Sequence, residues 1–248
     1  MAWHEYRRYV PVAERRRDAS RALAKRTKKG LPVDPVVIEG RTIARTFWGK
    51  AWCDNLERYS DFSNRLPRGR TYARNGSIVH LGIGKGRVEA LVQGSSLYEV
   101  TVGIAPLSRP RWKALVTACS GAIDSVVELL RGKLSSGVMR VVTDPARGLF
   151  PAPAHIEMTC TCPDWASMCK HIAAVLYGVG ARLDRQPDLL FVLRGVDPVD
   201  LIGASTAARP AAKRQGANVI EASDLESVFG IELDAAPSRR PKRRAARR

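Results

Sequence analysis

The chain has 248 residues, of which 45% are hydrophobic, and its 41 Lys and Arg residues against 24 Asp and Glu residues give it a net charge of +17. This apolar content is enough to bury a core, which excludes an entirely disordered chain. No apolar run approaches the ~18 residues of a membrane span, and the first residues lack the apolar region of a secretory signal, so we expect neither a membrane protein nor a secreted one.

The first half of the chain is predicted to pass from helix to antiparallel sheet. Residues 1–30 form a basic arm of helical character, and residues 31–40 form a connector or an edge strand. Residues 42–59 have helical spacing, with an apolar face that favours a core position over base stacking for its tryptophans: Trp48, Trp52, Leu56 and Tyr59. The pattern then shifts to short strands separated by turn signals, which indicate an antiparallel meander: Tyr72–Arg74, Ile78–Ile83, Arg87–Val92 and Tyr98–Ile104.

The second half is predicted to be mostly helical. The apolar period near 3.6 predicts a helix over 111–133. Further elements follow in chain order: a strand at Met139–Val142, a strand at 155–162, a helix at 170–182, one or two short helices over 187–203, a linker at 204–222, a short helix at Asp224–Phe229 and a basic tail from Pro237.

The fold class predicted from these elements is α+β. It consists of an antiparallel meander with packed helices, a small strand–turn–helix zinc unit and basic flexible ends. The predicted domain divisions are an N-terminal arm and connector (1–40), an α+β domain (41–150), a zinc finger with following helices (151–203), a linker with a short helix (204–236) and a basic disordered tail (237–248).

Four metal-ligand residue types fall within twelve positions, in the order Cys160, Cys162, Cys169 and His171. On a strand, residues two apart project from one face, so the first two sulfurs can point at one centre. The six residues before Cys169 allow the chain to return, with Cys169 before a helix and His171 in its first turn. Three cysteines and a histidine suit one tetrahedral Zn²⁺, and four protein ligands leave no position for a reacting water. We therefore expect a structural zinc site.

The ligand spacing, Cys-x-Cys, six residues, Cys-x-His, resembles the SWIM zinc finger. The resemblance to bacterial SWIM zinc finger family proteins extends over about residues 35–203 and is carried by TFWGKAWCDNLE, by NRLPRGRTYARNGSIVHL and by the block from LFPAPAHIEMTC to LLFVLRGVD. It implies zinc at the four residues above and a role in DNA binding or protein–protein interaction. It also implies a helicase-like ATPase of the SWI/SNF class as a partner.

The positive charge is concentrated at the two ends of the chain. Residues 1–30 hold ten basic and three acidic residues, 237–248 hold seven basic and none acidic, and 31–236 are nearly balanced at 24 against 21. Such ends favour attraction to nucleic acid, although solubilising tails have the same composition. We expect contacts with nucleic acid from three parts of the chain: a predicted loop that enters a strand, the lysine between two zinc ligands, and the tail. The residues are Arg65, Arg68, Arg70, Arg74, Lys170, Arg239, Arg240, Lys242, Arg243 and Arg244.

Two residues beside the ligands have alternative roles. Asp164 could accept the free ring N–H of His171 or cap a turn, and the sequence favours neither. For Trp165, packing against the zinc helix is preferred over stacking on a base.

The sequence contains no paired carboxylates, nucleophile–base pair or nucleotide loop that would indicate catalysis. We expect a non-catalytic, cytoplasmic or nucleoid-associated zinc protein that binds nucleic acid, with DNA favoured over RNA, and that takes no small-molecule substrate. The alternative is a protein–protein adaptor without direct nucleic-acid contact.

Overall fold

The computed structural model describes residues 10–58, 64–120, 122–123 and 125–202. Its sheet has the antiparallel order β1-β2-β3-β4, formed by β1 (Ile78–Gly84), β2 (Arg87–Gln93), β3 (Leu97–Ile104) and β4 (Ile156–Cys160). The first three strands confirm the predicted meander. The fourth is the strand of the ligand segment, and it pairs with β3.

Helices accompany the sheet along the described chain: α1 (Val12–Lys28), α2 (Phe47–Glu57), α3 (Leu66–Arg74), α4 (Arg109–Ala118), α5 (Val126–Leu130), α6 (Ser136–Val142), α7 (Lys170–Leu183) and α8 (Asp188–Arg194). The α+β class is confirmed. The predicted linker at 204–222, the helix at 224–229 and the basic tail lie outside the described residues. In the described part, no helix combines the length and apolar character needed to cross a membrane.

Two predicted strands are helices in the structure. The strand predicted at Tyr72–Arg74 is the end of α3, which begins with Pro67 in its first turn, where proline favours helix initiation. The strand predicted at Met139–Val142 belongs to α6. There the Ser135 hydroxyl accepts a hydrogen bond of 3.3 Å from the Val138 N–H, and this cap begins a helix from a short apolar run.

The helix predicted over 111–133 is interrupted. Helix α4 ends at Ala118, and Ser125 begins α5 by accepting a hydrogen bond of 3.2 Å from the Glu128 N–H. The apolar period continues across the break because Cys119 and Ile123, which lie between the helices, are both buried. Periodicity alone therefore does not reveal the interruption.

The predicted connector at 31–40 runs beside β1 without forming a regular strand. The Leu81 N–H donates to the Asp34 carbonyl at 2.9 Å, and the Val36 N–H donates to the Ile78 carbonyl at 3.3 Å. These two bonds attach the connector to β1 at the edge of the sheet.

Helix α7 is the central element of the core. Every residue from His171 to Gly180 is buried, and a helix buried on all sides needs neighbours on all sides. It packs against α2, α3 and the sheet. Trp48 and Trp52 of α2 are core residues, as predicted, and the Trp52 ring N–H donates to the Leu176 carbonyl of α7 at 2.8 Å. The position of α7 matters for the site because its first turn carries a predicted ligand.

The last turn of α7 also holds the start of α2. The Asp184 carboxylate accepts from the Arg45 N–H at 2.6 Å, from the Thr46 N–H at 3.0 Å and from the Thr46 hydroxyl at 2.6 Å. The Thr46 N–H is the N-cap donor of α2, which has no partner within the helix, and the Arg45 N–H belongs to the residue before it.

We expect Asp184→Ala to lower the free energy of unfolding by about 1–2 kcal/mol, the usual cost of losing a helix cap. Urea denaturation followed by circular dichroism measures this change. Asp54→Ala, which removes an exposed carboxylate from α2 itself, is the matched control and should change stability by less than about 0.5 kcal/mol. Equal effects of the two variants would contradict the capping role.

Candidate metal centre

The four predicted ligands converge in the structure. The Sγ atoms of Cys160, Cys162 and Cys169 and a ring nitrogen of His171 lie within 4.8 Å of one another. His171 Nδ1 is 3.9 Å from the Sγ atoms of both Cys160 and Cys169. A tetrahedral zinc with Zn–S bonds of ~2.3 Å places its sulfurs about 3.8 Å apart, so a small contraction brings the group to coordination distance.

Three backbone features bring these side chains together. Cys160 is the last residue of β4 and is paired with Val100 of β3. Cys162 lies just beyond the strand, held by a hydrogen bond of 3.0 Å from the Thr161 N–H to the Glu99 carbonyl. Cys169 is the N-cap of α7, which puts His171 in the first helical turn, as predicted.

The electrostatics of the cluster favour a cation. Hydrogen bonding with Cys160 lowers the pKa of Cys169 to about 3, against the opposing effect of burial. Hydrogen bonding with Cys169 and burial raise the pKa of Cys160, and burial raises that of Cys162. Three thiols at this distance do not all ionise by themselves because the thiolates repel one another. A divalent cation removes this repulsion and takes all three thiolates as ligands. The Cys₃His group is therefore positioned to bind one zinc ion.

The His171 ring is held between two tyrosines. Its centroid is 4.6 Å from the ring centroid of Tyr98 on β3 and 5.3 Å from that of Tyr72 on α3. The Nε2 atom is buried and has no hydrogen-bond partner in the described part of the chain. Only glycine fits at position 94, because an added Cβ atom would lie 2.7 Å from this nitrogen. The packing therefore fixes the ring with Nδ1 directed at the sulfurs.

Asp164 takes the turn-capping role of its two predicted alternatives. Its carboxylate accepts from the Ala166 N–H at 3.2 Å and from the Arg65 guanidinium at 3.1 Å. The ion pair joins the start of α3 to the loop between the second and third cysteines, called here the zinc loop (residues 163–168). No hydrogen bond joins Asp164 to His171 in the described residues.

Helix α3 separates the four predicted arginines onto two flanks. With 100° between successive residues, Arg65 and Arg68 lie on the flank of Tyr72, and Arg70 and Arg74 lie on the other. Arg70 pairs with Glu57 and donates to the Tyr177 hydroxyl at 3.2 Å, while Arg74 reaches the Arg41 carbonyl at 3.5 Å. The prediction of one arginine loop was wrong because this segment is a helix. The structure nevertheless joins Arg65 to the zinc loop through Asp164 and leaves Arg68 exposed on the same flank of α3.

The remaining predicted contacts and Trp165 lie in different parts of the chain. The Lys170 ammonium lies 5.7 Å from the Tyr72 ring centroid, on the same flank. The preferred packing of Trp165 against the zinc helix was wrong, since its side chain is 96% exposed. The tail positions Arg239, Arg240, Lys242, Arg243 and Arg244 lie outside the described residues.

The sequence did not reveal how α1 reaches the metal centre. The Arg15 guanidinium lies 4.5 Å from the Tyr72 ring centroid, and Arg16 donates to the Asn75 carbonyl at 3.2 Å at the end of α3. Arg15 is 8% exposed. Its burial was not predicted, because the basic arm shows no apolar periodicity around this position. Tyr72 therefore contacts Arg15, Lys170 and the ligand His171, and it links the basic helix to the metal centre.

Comparison with known proteins agrees with this geometry. Residues 157–179 match the family model of the SWIM zinc finger, a range that covers most of β4, the zinc loop and most of α7. The chain is 34% identical over 170 residues to the uncharacterized protein Rv2102 of Mycobacterium tuberculosis (strain ATCC 25618 / H37Rv). The alignment covers 67% of this chain, which spans 61% of the length of that relative. No solved structure matches the chain significantly.

Proposed function

We propose that this chain, whose residues 157–179 match the SWIM zinc finger, is a non-catalytic nucleic-acid-binding protein with a structural zinc centre. DNA is the favoured nucleic acid. The four protein side chains complete a tetrahedral zinc, so the ion's contribution is to hold β4, the zinc loop and α7 in place. Binding itself falls to basic side chains around this framework.

The observation that carries the proposal is the contact of a basic helix with the metal centre through Tyr72. Helix α1 has seven basic and two acidic residues in its sequence, VAERRRDASRALAKRTK. Arg16, Arg17, Arg21, Lys25 and Lys28 are exposed. A solubilising tail needs no such attachment, whereas the attachment gives the cations of α1 defined positions beside the metal centre, from which phosphate contacts can orient a bound strand.

Salt dependence tests the proposal directly. If α1 and its neighbours make four or five phosphate contacts, affinity should fall about 150- to 500-fold for duplex DNA and about 50- to 130-fold for single-stranded DNA between 50 and 200 mM salt, since each contact contributes about −0.9 to the slope for duplex and about −0.7 for single strands. Fluorescence anisotropy with oligonucleotides of unrelated sequence measures the affinity at each salt concentration. Arg17→Ala should reduce the slope by about one, while Lys113→Ala, which removes an exposed cation from α4, should leave it unchanged. Absence of binding at low salt would refute the proposal and favour the protein-binding adaptor.

Removing residues 237–248 should weaken binding for all sequences alike, because the deletion takes away seven cations and no acidic residue. The same anisotropy measurements, made on several unrelated oligonucleotides, test this. A loss confined to one sequence would contradict the nonspecific role of the tail.

We further propose that the chain acts as an accessory to a helicase-like ATPase of the SWI/SNF class, a partner supported by the family resemblance alone. The test is a purified ATPase of this class, encoded in the same genome, mixed with the full chain after nuclease treatment. Comigration in size-exclusion chromatography supports the partnership, and separate elution overturns it.

A further inference from the structure

We propose that the metal centre presents Trp165 as a stacking platform for an unpaired base, with the adjoining strand's phosphates held by the flank of α3. The ligand class is therefore single-stranded nucleic acid. This inference rests on the proposed function and specifies which form of nucleic acid the site takes. We call the surface formed by Arg15, Arg68, Tyr72, Trp165 and Lys170 the Tyr72 face.

Trp165 is exposed on a loop that is fixed at both ends. Its side chain is 96% accessible, the largest value among the exposed large hydrophobic residues of the described chain. The loop lies between the ligands Cys162 and Cys169, and the Arg65–Asp164 ion pair fixes it to α3 immediately before Trp165. A tryptophan held outward on a loop attached in this way retains a large apolar surface that only a partner can cover.

The charges beside Trp165 suit a phosphate backbone. Arg65, Arg68 and Tyr72 share one flank of α3, over a length of about 10 Å at 1.5 Å per residue. Arg65 is neutralised by Asp164, whereas Arg68 is exposed and has no ion pair with the described residues. Lys170 and Arg15 converge on the Tyr72 ring at the far end. A nucleotide chain lying along this flank passes a series of cations.

Arg15 offers a second, independent indication of an anionic ligand. The residue is 8% exposed, and its Nε and Nη1 atoms have no hydrogen-bond acceptor in the described part of the chain. Because these two atoms are buried, Arg15 acts on an anion through its positive charge beside the Tyr72 ring and not through direct hydrogen bonds from them. This feature favours a nucleic-acid strand over an apolar peptide as the occupant.

A stacking platform selects for single strands because the base faces of a duplex are already stacked on their neighbours. The Tyr72 face should therefore prefer a strand with accessible bases to the same sequence in a duplex. It should also prefer that strand to an abasic strand of equal charge, which offers phosphates and no base.

The experiment compares labelled strands of about 12 nucleotides, within the usual range of single-strand site sizes, as single-stranded DNA, single-stranded RNA, duplex DNA and abasic DNA. The full zinc-loaded chain is titrated by fluorescence anisotropy. We expect Trp165→Ala to weaken binding of at least one single strand about 5- to 150-fold, the range for loss of one stacked base. Binding of the abasic strand should be unchanged, and Trp165→Phe should retain most of the affinity. The affinities for single-stranded DNA and single-stranded RNA show which of the two nucleic acids supplies the stacked base.

Two further variants separate stacking from charge. Arg68→Ala should weaken binding to the single strands and the abasic strand alike and reduce the salt slope. Arg140→Ala, an exposed arginine of α6, should change neither. Zinc content is measured for every variant, and it should stay at the wild-type value because Trp165 and Arg68 are exposed.

The results distinguish failure of this inference from failure of the proposed function. Wild-type affinity of Trp165→Ala for single strands, with salt-dependent binding intact, overturns the stacking platform and leaves the nucleic-acid function standing. Equal affinity of the wild type for normal and abasic strands also overturns it. No binding of the wild type to any of the four nucleic acids overturns both.

Discussion

Cys169→Ala should abolish zinc binding and unfold the region from β4 to α7. Cys169 is fully buried and acts both as a ligand and as the N-cap of α7. Structural zinc contributes roughly 10–16 kcal/mol of apparent binding free energy, a value comparable to the total stability of about 5–15 kcal/mol of a typical domain. The effect should spread beyond the ligand segment because α7 packs against α2, α3 and the sheet.

Hydrogen exchange and zinc content together measure this effect. We expect no stoichiometric zinc in the Cys169→Ala protein and loss of amide protection in β4 and α7. Cys119→Ala is the matched control because Cys119 is also fully buried but lies outside the ligand cluster. That variant should retain zinc and lose about 1–2 kcal/mol of stability, as expected for a small cavity. Wild-type protection of 155–185 in Cys169→Ala would contradict the structural role of the metal.

Gly69→Ala should separate α3 from α7. An added Cβ atom at this position would lie 2.7 Å from the Ala173 carbonyl carbon and 2.8 Å from the Ala174 nitrogen. Both atoms are backbone atoms of the central helix, so neither can rotate away. We expect a loss of about 3 kcal/mol, the upper part of the range for overpacking, even though alanine is the better helix former.

The control for Gly69→Ala is Gly137→Ala in α6. A Cβ atom there meets nothing closer than the Ser135 hydroxyl oxygen at 3.8 Å, so the substitution should stabilise the protein by about 0.5–1 kcal/mol. Thermal unfolding measures both variants. A Gly69→Ala protein as stable as the wild type would show that α3 does not pack this closely on α7. Because Tyr72 is on α3 and contacts His171, we also expect this variant to release zinc faster to a chelator.

The metal ligands could be predicted from sequence because their information is local. All four lie within twelve residues, and strand and helix-cap geometry suffices to bring them together. The meander could also be predicted from sequence, because its first hairpin contains Gly86, which has the positive φ of 67° that such turns require. The packing partners of the side chains in the ligand segment could not be predicted, because they are residues distant in the sequence.

The arginine segment shows why the rest was missed. As a loop, Arg65–Arg74 would form one cationic surface. Because the segment is a helix, one flank faces the zinc loop, where Arg65 pairs with Asp164, and the other flank contacts Glu57 and Tyr177. The Arg65–Asp164 pair, which attaches the zinc loop to α3 beside the exposed Trp165, joins residues 99 positions apart. The contact of Arg15 with Tyr72 likewise joins distant segments. Local patterns predict elements, but such long-range pairs decide which surfaces face solvent.

The most direct test of the account is X-ray absorption at the zinc edge on the purified full chain, together with elemental analysis. We expect one zinc per chain with three sulfur neighbours at ~2.3 Å and one nitrogen neighbour at ~2.0 Å. A chain without stoichiometric zinc, or a zinc ion with an oxygen ligand in place of one of these four, would contradict it.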